Sequence, residues 1–387
     1  MSLRYSDEQR LLADSAGDFL AARSPVTAQR RLRDEAAPLG FDPQVWGDAV
    51  ALGWSAIPFP EALGGLDFGC KGLGPIFESL GRNLSPMPLL SSVVLGGSLV
   101  HLAGNSAQQA QWLQAVISGD QRLALAVDEQ SRHAPQRIAL QAVAEGAGYR
   151  LHGDKVAVVD GLGADAYVVA ARTSGQAGDT QGISLFLLPA DAPGLSVSAL
   201  SLIDSRNVAR LHLDQVQLGS EALLGEVGEG WSVLETALDR GRVCLAAELL
   251  GMAEQLFATT LEYLKTREQF ETRLGSFQVL QHRAAQMYVD LALSRSALMG
   301  ALASLDDSGV DARSRARLVS LAKWKTGDTA IKVANEAVQM HGGIGVTDEL
   351  DVGLYLKHVR VAQACLGDRD FHCERYAANV TQIPCRS

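Results

Sequence analysis

The chain has 387 residues, of which 47 % are apolar and 20 % charged, and this excludes global disorder and suits about two to three domains with a sizeable core. Its 34 Lys and Arg stand against 44 Asp and Glu, a formal net charge of −10. Without a basic block such a chain lacks the footprint of a nucleic-acid binder, whereas a small anionic ligand needs only a few placed cations.

The N-terminal residues MSLRYSDEQRLL hold no apolar core of signal-peptide length. No stretch approaches the ~18 uninterrupted apolar residues of a membrane span, so a cytoplasmic protein without membrane contact is expected. Residues 1–120 read as helical. Ser6 to Gln9 is a helix start, followed by Leu11, Leu12, Ala16, Phe19 and Leu20 on one face. Pro58, Pro60, Gly64 and Gly65 mark a loop, and helical patterning resumes through Phe77, Leu80 and later Trp112, Leu113 and Val116. The texture changes near residue 121. Leu123 to Val127, the segment around Tyr149, Leu151, Val158 and Val159, Tyr167 to Ala171, Ile183 to Leu188 and Arg210 to Val216 read as short strands. Their close spacing without helices predicts an antiparallel sheet, sandwich or barrel over 121–228. From 229 to 387 the helical period returns. Leu245, Leu249, Met252, Leu256, Thr260 and Tyr263 line one face, and Leu280, Ala284, Met287 and Leu291 another. Leu318, Leu321, Trp324 and Ile331 begin a third long helix, and the whole suits a bundle with faces left over for an oligomer. The expected fold class is therefore α+β and multidomain, with domains 1–120, 121–228 and 229–387. Five scattered cysteines, Cys70, Cys244, Cys365, Cys373 and Cys385, contain no Cys-x-x-Cys pair. They read as packing thiols in a reducing compartment, and no metal-ligand spacing appears.

Three motifs bear on chemistry. Gly161-Leu-Gly163-Ala-Asp-Ala166 formally matches a dinucleotide fingerprint, but a strand-like Tyr-Val-Val-Ala-Ala follows where a helix is needed, so a turn is expected. Tyr263 to Phe270, with Arg267, then Phe277-Gln278, places a guanidinium at a helix end with an aromatic and an amide close by. That combination suits a diphosphate and an aromatic ring, because the planar fork of Arg makes paired charge-assisted bonds. It also fits a solvated charged helix end. Gln339-Met-His341-Gly-Gly343-Ile-Gly345 ends a long helix, either as a plain cap or as backbone open to a phosphate. His341 reads as a packed or capping histidine.

Together these pieces resemble the acyl-CoA dehydrogenase family over nearly the whole chain. Leu52-Gly-Trp54 with Pro60-Glu61 and Gly64-Gly65, Glu78 to Arg82, Leu125 to Glu129, Gly153-Asp-Lys155 through Gly161, Arg267 to Phe270 with Phe277-Gln278, and Gln339 to Gly343 follow the family's motif order. The resemblance implies an N-terminal helical domain, a middle β-domain and a C-terminal four-helix bundle. It also implies a homo-oligomer, dimer or tetramer, with FAD held across a subunit interface. Arg267 and Phe270 would meet the FAD of a neighbouring subunit, Gln278 would also bind the cofactor, and Gln339, Gly342 and Gly343 would approach its diphosphate and adenosine side. Glu129 and Val159 would lie by the flavin ring, and Arg242 and Asp239 in the substrate region, Asp239 near the CoA portion.

The implied reaction, in fatty acid metabolism, is α,β-dehydrogenation of an acyl-CoA, with electrons passed to an electron-transfer flavoprotein. A carboxylate base is required, yet Leu366 and Gly241 stand at the two positions where family members carry a Glu. Ser131-Arg-His-Ala134 replaces the family's Gly-Ser-Asp run, and Glu271 replaces a Gly. Three readings follow. The first is an active dehydrogenase with a displaced base, Asp368 or Asp239, where Asp368 also fits a helix cap. The second is a non-catalytic subunit of a hetero-oligomer with a related chain. The third is a monooxygenase or oxidase on the same fold.

Overall fold

The computed structural model describes residues 5–380. Cys385, the first four residues of the N-terminal stretch and the end of the expected 229–387 segment lie outside them. The chain divides into two compact units, one built from residues up to 26, 70–85 and 242 onward, the other from 27–69 and 86–241.

In the second of these units, α2 (Val26–Asp34) and α3 (Pro43–Ala51) precede the proline and glycine loop. A buried π-helical stretch, Leu89–Gly97, runs into α5 (Ser98–Ala103), and α6 (Ser106–Gln108) leads through a second π-helical turn to α7 (Gln114–Ser118). Eight strands then form one sheet: β1 (Leu123–Ala126), β2 (Gln141–Glu145), β3 (Gly148–Val159), β4 (Ala166–Arg172), β5 (Ile183–Pro189), β6 (Leu195–Ala199), β7 (Val208–Gly219) and β8 (Leu223–Leu224). The order is β6-β7-β3-β2-β4-β5-β8, with β1 added against β4.

The strands of this sheet lie between residues 123 and 224, and of the expected antiparallel sheet, sandwich or barrel the chain forms an open, mixed sheet that does not close into a barrel. β1 pairs parallel to β4, and so does the start of β2, while the other pairs are antiparallel. Parallel pairing needs a long connection, and residues 127–165 supply one between β1 and β4. Every residue of β4 is buried, whereas β7 alternates, as its sequence predicts. Tyr167, Val169, Phe186, Leu188, Leu211 and Leu213 form the centre of the core. Gly161 to Ala166 is a turn with Gly163 at φ +75 that enters β4 directly, so no helix N-terminus is present there to hold a pyrophosphate.

In the other unit α1 (Asp7–Arg23) opens with a reciprocal cap, in which the Ser6 hydroxyl accepts from the Gln9 amide and the Gln9 side chain accepts from the Ser6 amide. Leu11, expected on one face with Ala16 and Leu20, is 70 % exposed, because the buried stripe of α1 runs through Gln9, Ala16 and Leu20. α1 packs on α4 (Leu73–Asn83). Helix α8 (Gly230–Thr266) contributes its residues from 242 onward. A hairpin of β9 (Glu268–Gln269) and β10 (Thr272–Arg273) follows, then α9 (Gln278–Leu305), α10 (Ala312–His341), α11 (Val352–Ala364) and α12 (Arg369–Ala378). The long central α10 packs against α9, α11 and α12. Asp311 starts α10 by accepting from the amides of Arg313 and Ser314.

Candidate functional site

At the end of α8 the Arg267 amide closes the last turn on the Tyr263 carbonyl at 2.8 Å, and the chain enters the hairpin. Gln269 pairs with Thr272, leaving Phe270 and Glu271 as a two-residue turn with φ of +56° and +63°. Two consecutive left-handed residues fit the right-handed twist of a hairpin, which is why glycine and asparagine are preferred there. A phenylalanine held in that region costs about 1 kcal/mol. The residue is nevertheless 83 % exposed, and among the described residues its ring contact is an edge contact to Phe277 at 6.2 Å. Packing within the chain does not account for that placement, and the hairpin displays the ring to its surroundings.

Glu271 occupies the turn position where the resemblance led to glycine. Glu271→Gly is expected to raise unfolding free energy by about 0.5–1 kcal/mol in a urea titration, by relieving the left-handed backbone.

The second motif meets the first. Tyr263 lies against His341 with ring centres 4.3 Å apart, and its hydroxyl donates to the His341 carbonyl at 3.3 Å. His341 is buried and its Nδ1 is 2.7 Å from the Ala337 carbonyl, so it is a packed histidine at the end of α10. Gly342 follows at φ +66°, ψ −142°, a backbone that side chains rarely adopt. A Cβ added at Gly342 or Gly343 would enter open space, so the bare backbone there is open to an incoming group. Arg267, Phe270, Gln278, Gln339, Gly342 and Gly343 are all solvent-exposed. The helix ends that carry Arg267 and Gly342 are joined through the Tyr263–His341 contact. Among the described residues Arg267 makes no ion pair, so its charge is available to an anion.

The other predicted positions sit in different settings. The Glu129 carboxylate is occupied: it accepts from the amides of Ala139 and Leu140 at 2.8 and 3.0 Å and from the Lys155 ammonium at 2.7 Å. It thereby ties both ends of the 129–140 loop together. Lys155 is buried and also donates to the Val127 carbonyl; burial holds its pKa below the usual lysine range, against the pull of Glu129. Where the Gly-Ser-Asp run is absent, His133 pairs instead with Asp128 at 2.8 Å. Val159 is the half-buried last residue of β3, paired with Val208. Asp239 and Arg242 are both buried on α8.

Positions 241 and 366, where the resemblance led to a carboxylate base, hold Gly241 and Leu366. Leu366 is buried with φ +55°, and its carbonyl accepts from Arg242 Nε at 3.2 Å. Asp368 is the N-cap of α12, its Oδ1 accepting from the Phe371 amide at 2.9 Å. Two further buried cations were not singled out from the sequence. Arg172 ends β4 and Lys323 sits mid-way along α10. The available signal was a lone cation closing or interrupting an apolar run, Tyr-Val-Val-Ala-Ala-Arg172 and Leu-Ala-Lys323-Trp.

Comparison with known proteins adds the family. Residues 228–381 match the model "Acyl-CoA dehydrogenase, C-terminal domain", and residues 6–120 match "Acyl-CoA dehydrogenase, N-terminal domain". The acyl-CoA dehydrogenase FadE27 of Mycobacterium tuberculosis is 29 % identical over 349 residues, 89 % of this chain and 90 % of that protein. Among solved structures, the ChsE4–ChsE5 complex of Mycobacterium tuberculosis is similar at a TM-score of 0.89 and 28 % identity, covering 99 % of this chain and 100 % of that chain. A Tcur3481–Tcur3483 steroid ACAD is similar at a TM-score of 0.86 and 28 % identity, covering 96 % and 97 %. Fold and matches together define a flavin-dependent oxidoreductase. The chain belongs to the acyl-CoA dehydrogenase family.

Proposed function

We propose that this chain serves FAD-dependent α,β-dehydrogenation of an acyl-CoA thioester as the subunit that completes a flavin site, while a related chain supplies the base. One contrast carries this reading: the anion-facing hairpin and glycine turn are fully displayed, whereas Leu366 and Gly241 fill the base positions and Asp368 is occupied as a helix cap. A base must reach within hydrogen-bonding distance of the proton it removes, and a capping carboxylate is aimed at its helix instead. Two similar structures support the reading, since one is a complex of two differently named chains and the other carries a paired name with a steroid function. A steroid CoA thioester is accordingly the substrate class to try first.

The displayed residues fit FAD. Arg267 would meet the diphosphate, Phe270 would pack on an aromatic ring, and the Gly342–Gly343 backbone and the amides of Gln339 and Gln278 would approach the nucleotide from the same unit. Glu129 would act indirectly, by fixing the loop that follows β1, with Val159 at the end of β3. Arg242 and Asp239 would serve the substrate side. When bound, FAD supplies the hydride acceptance that side chains lack. An electron-transfer flavoprotein is proposed as the electron acceptor, the assembly as a dimer or tetramer of chains in the cytoplasm, and 1–120, 121–228 and 229–387 as the domains.

The test is an anaerobic titration with acyl-CoA thioesters, a steroid one included. The isolated chain should leave the flavin absorbance unchanged, and a mixture with a related base-bearing chain should bleach it. Arg267→Ala and Phe270→Ala should each weaken flavin retention by about 1–3 kcal/mol, roughly 5- to 150-fold, in the mixed assembly. Bleaching by the isolated chain, abolished in Asp239→Asn, would instead make Asp239 the displaced base.

A further inference from the structure

Lys323 is buried in the middle of α10, and three backbone carbonyls receive its ammonium: Ala362 at 3.0 Å, Gln363 at 2.9 Å and Gly367 at 3.3 Å. The first two belong to the last turn of α11, where carbonyls lack helical partners and a cation is favoured. The third lies beyond the turn. From α8, Arg242 holds the intervening Leu366 carbonyl, and its guanidinium sits 5.2 Å over the Phe371 ring. Two buried cations on two helices therefore grip four carbonyls within six residues. Between them the backbone is left-handed at Leu366 and in a glycine-favoured conformation at Gly367, where φ is +113° and a Cβ would come within 2.4 Å of the Phe371 ring. Burying the Lys323 ammonium to hold the four-residue connection 365–368 is costly, and a connection alone does not need it.

We propose that Lys323 is a positioning residue whose ammonium fixes the 365–367 turn, and with it residue 366, and that loss of its proton releases the turn. This goes beyond the assignment of function, because it holds whichever chain supplies the base. A neutral amine has two N–H donors for three carbonyls, so one carbonyl is let go on deprotonation. The charged and titratable groups facing the ammonium are Cys365 on the turn, Asp368 at the head of α12 and Arg242 on α8. Burial outweighs them and pulls the Lys323 pKa down to about 8, with Cys365 and Asp368 pulling upward and Arg242 downward.

The sign of the effect on global stability is opposite to the local one. A lysine whose folded pKa lies below its unfolded value opposes folding while charged, and that opposition is lifted as pH rises from about 8 toward the usual lysine value. Release of the turn in mild alkali is thus expected without a fall in Lys323's contribution to unfolding free energy, a pattern that a merely structural lysine would not give.

The experiment is amide hydrogen exchange on the full chain at pH 7 and pH 9, corrected for intrinsic rates and referenced to α9. The reporting amides are Cys365 and Gly367, which donate to the carbonyls of Val361 and Ala364. Wild type should lose about five- to tenfold protection there at pH 9, as the neutral fraction of a group titrating near 8 rises about tenfold from pH 7, with no fall in urea midpoint. Lys323→Arg, which stays charged, should keep its protection at both pH values. Lys323→Met should show the lowered protection already at pH 7 and no further change with pH. Should the methionine variant not fold, wild type and the arginine variant decide the matter. Protection at Cys365 and Gly367 that is independent of pH in wild type, or that falls with pH equally in Lys323→Arg, overturns the proposal.

Discussion

Replacing Gly251 or Gly81 by alanine is expected to lower the free energy of unfolding by about 3 kcal/mol, read as a lower urea midpoint at unchanged slope. The two glycines face opposite helices at one crossing. A Cβ on Gly251 of α8 would lie 2.0 Å from the Glu78 carbonyl oxygen of α4, and a Cβ on Gly81 of α4 would lie 2.0 Å from the Glu248 carbonyl oxygen of α8. Both obstacles are backbone, so no side chain can swing aside and the helices themselves must part. Parting them would strain the other contacts of α4, which packs on α1 and whose Glu78 is bonded to Arg295 at 2.9 and 3.1 Å. The double variant should cost clearly less than the sum of the singles, by about 1 kcal/mol or more, because helices already separated for one methyl admit the other. Additive losses would mean that the two contacts are independent, and the crossing would then not be the shared cause.

Arg172→Met is expected to cost about 3–5 kcal/mol and to loosen two loops. The side chain is buried at the end of β4 and directs each of its five N–H groups to a carbonyl: Nε to Ile138 at 2.8 Å, Nη1 to Ser174 and Gln181 at 3.2 and 3.0 Å, and Nη2 to Gln136 and Asp179 at 3.3 and 2.9 Å. Methionine fills much of the volume but strands five acceptors, each of which wants a partner or water. Lysine has three donors on a compact head and should recover only part of the loss. Limited proteolysis offers a local check, since cleavage within 173–182 should accelerate in Arg172→Met well before the core opens. A variant that keeps its urea midpoint and its resistance to cleavage would show that water replaces the guanidinium without penalty.

Much of the architecture was legible before any coordinates. The capping box at Ser6, the alternation of Leu211 and Leu213, and the long apolar stripes from Leu245 and from Leu280 are local patterns, and local hydrogen bonding and burial suffice to turn them into elements. Rejection of the Gly161 motif rested on the same footing, because a β-type run cannot supply a helix N-terminus. What local patterns do not carry is relational. Short strands close in sequence point to an antiparallel sheet, sandwich or barrel, and most pairs are antiparallel, but the parallel pairing of β1 with β4 depends on a 39-residue excursion that periodicity does not encode. The pattern puts Leu11 on one face with Ala16 and Leu20, while the stripe that packs runs through Gln9.

The sequence by itself determined the order of helices and strands, the family, and the absence of a carboxylate at positions 241 and 366, since each of these is written in residue identity and local spacing. Only the tertiary structure decided that Glu129 braces a loop, that Asp368 caps α12, and that Phe270 stands out at a left-handed hairpin tip beside an open glycine turn. It also decided that Arg172 and Lys323 spend buried charge on backbone carbonyls. The physical reason is shared: a polar side chain's role is set by which donors and acceptors reach it once the chain has collapsed, and those partners come from segments far away in sequence.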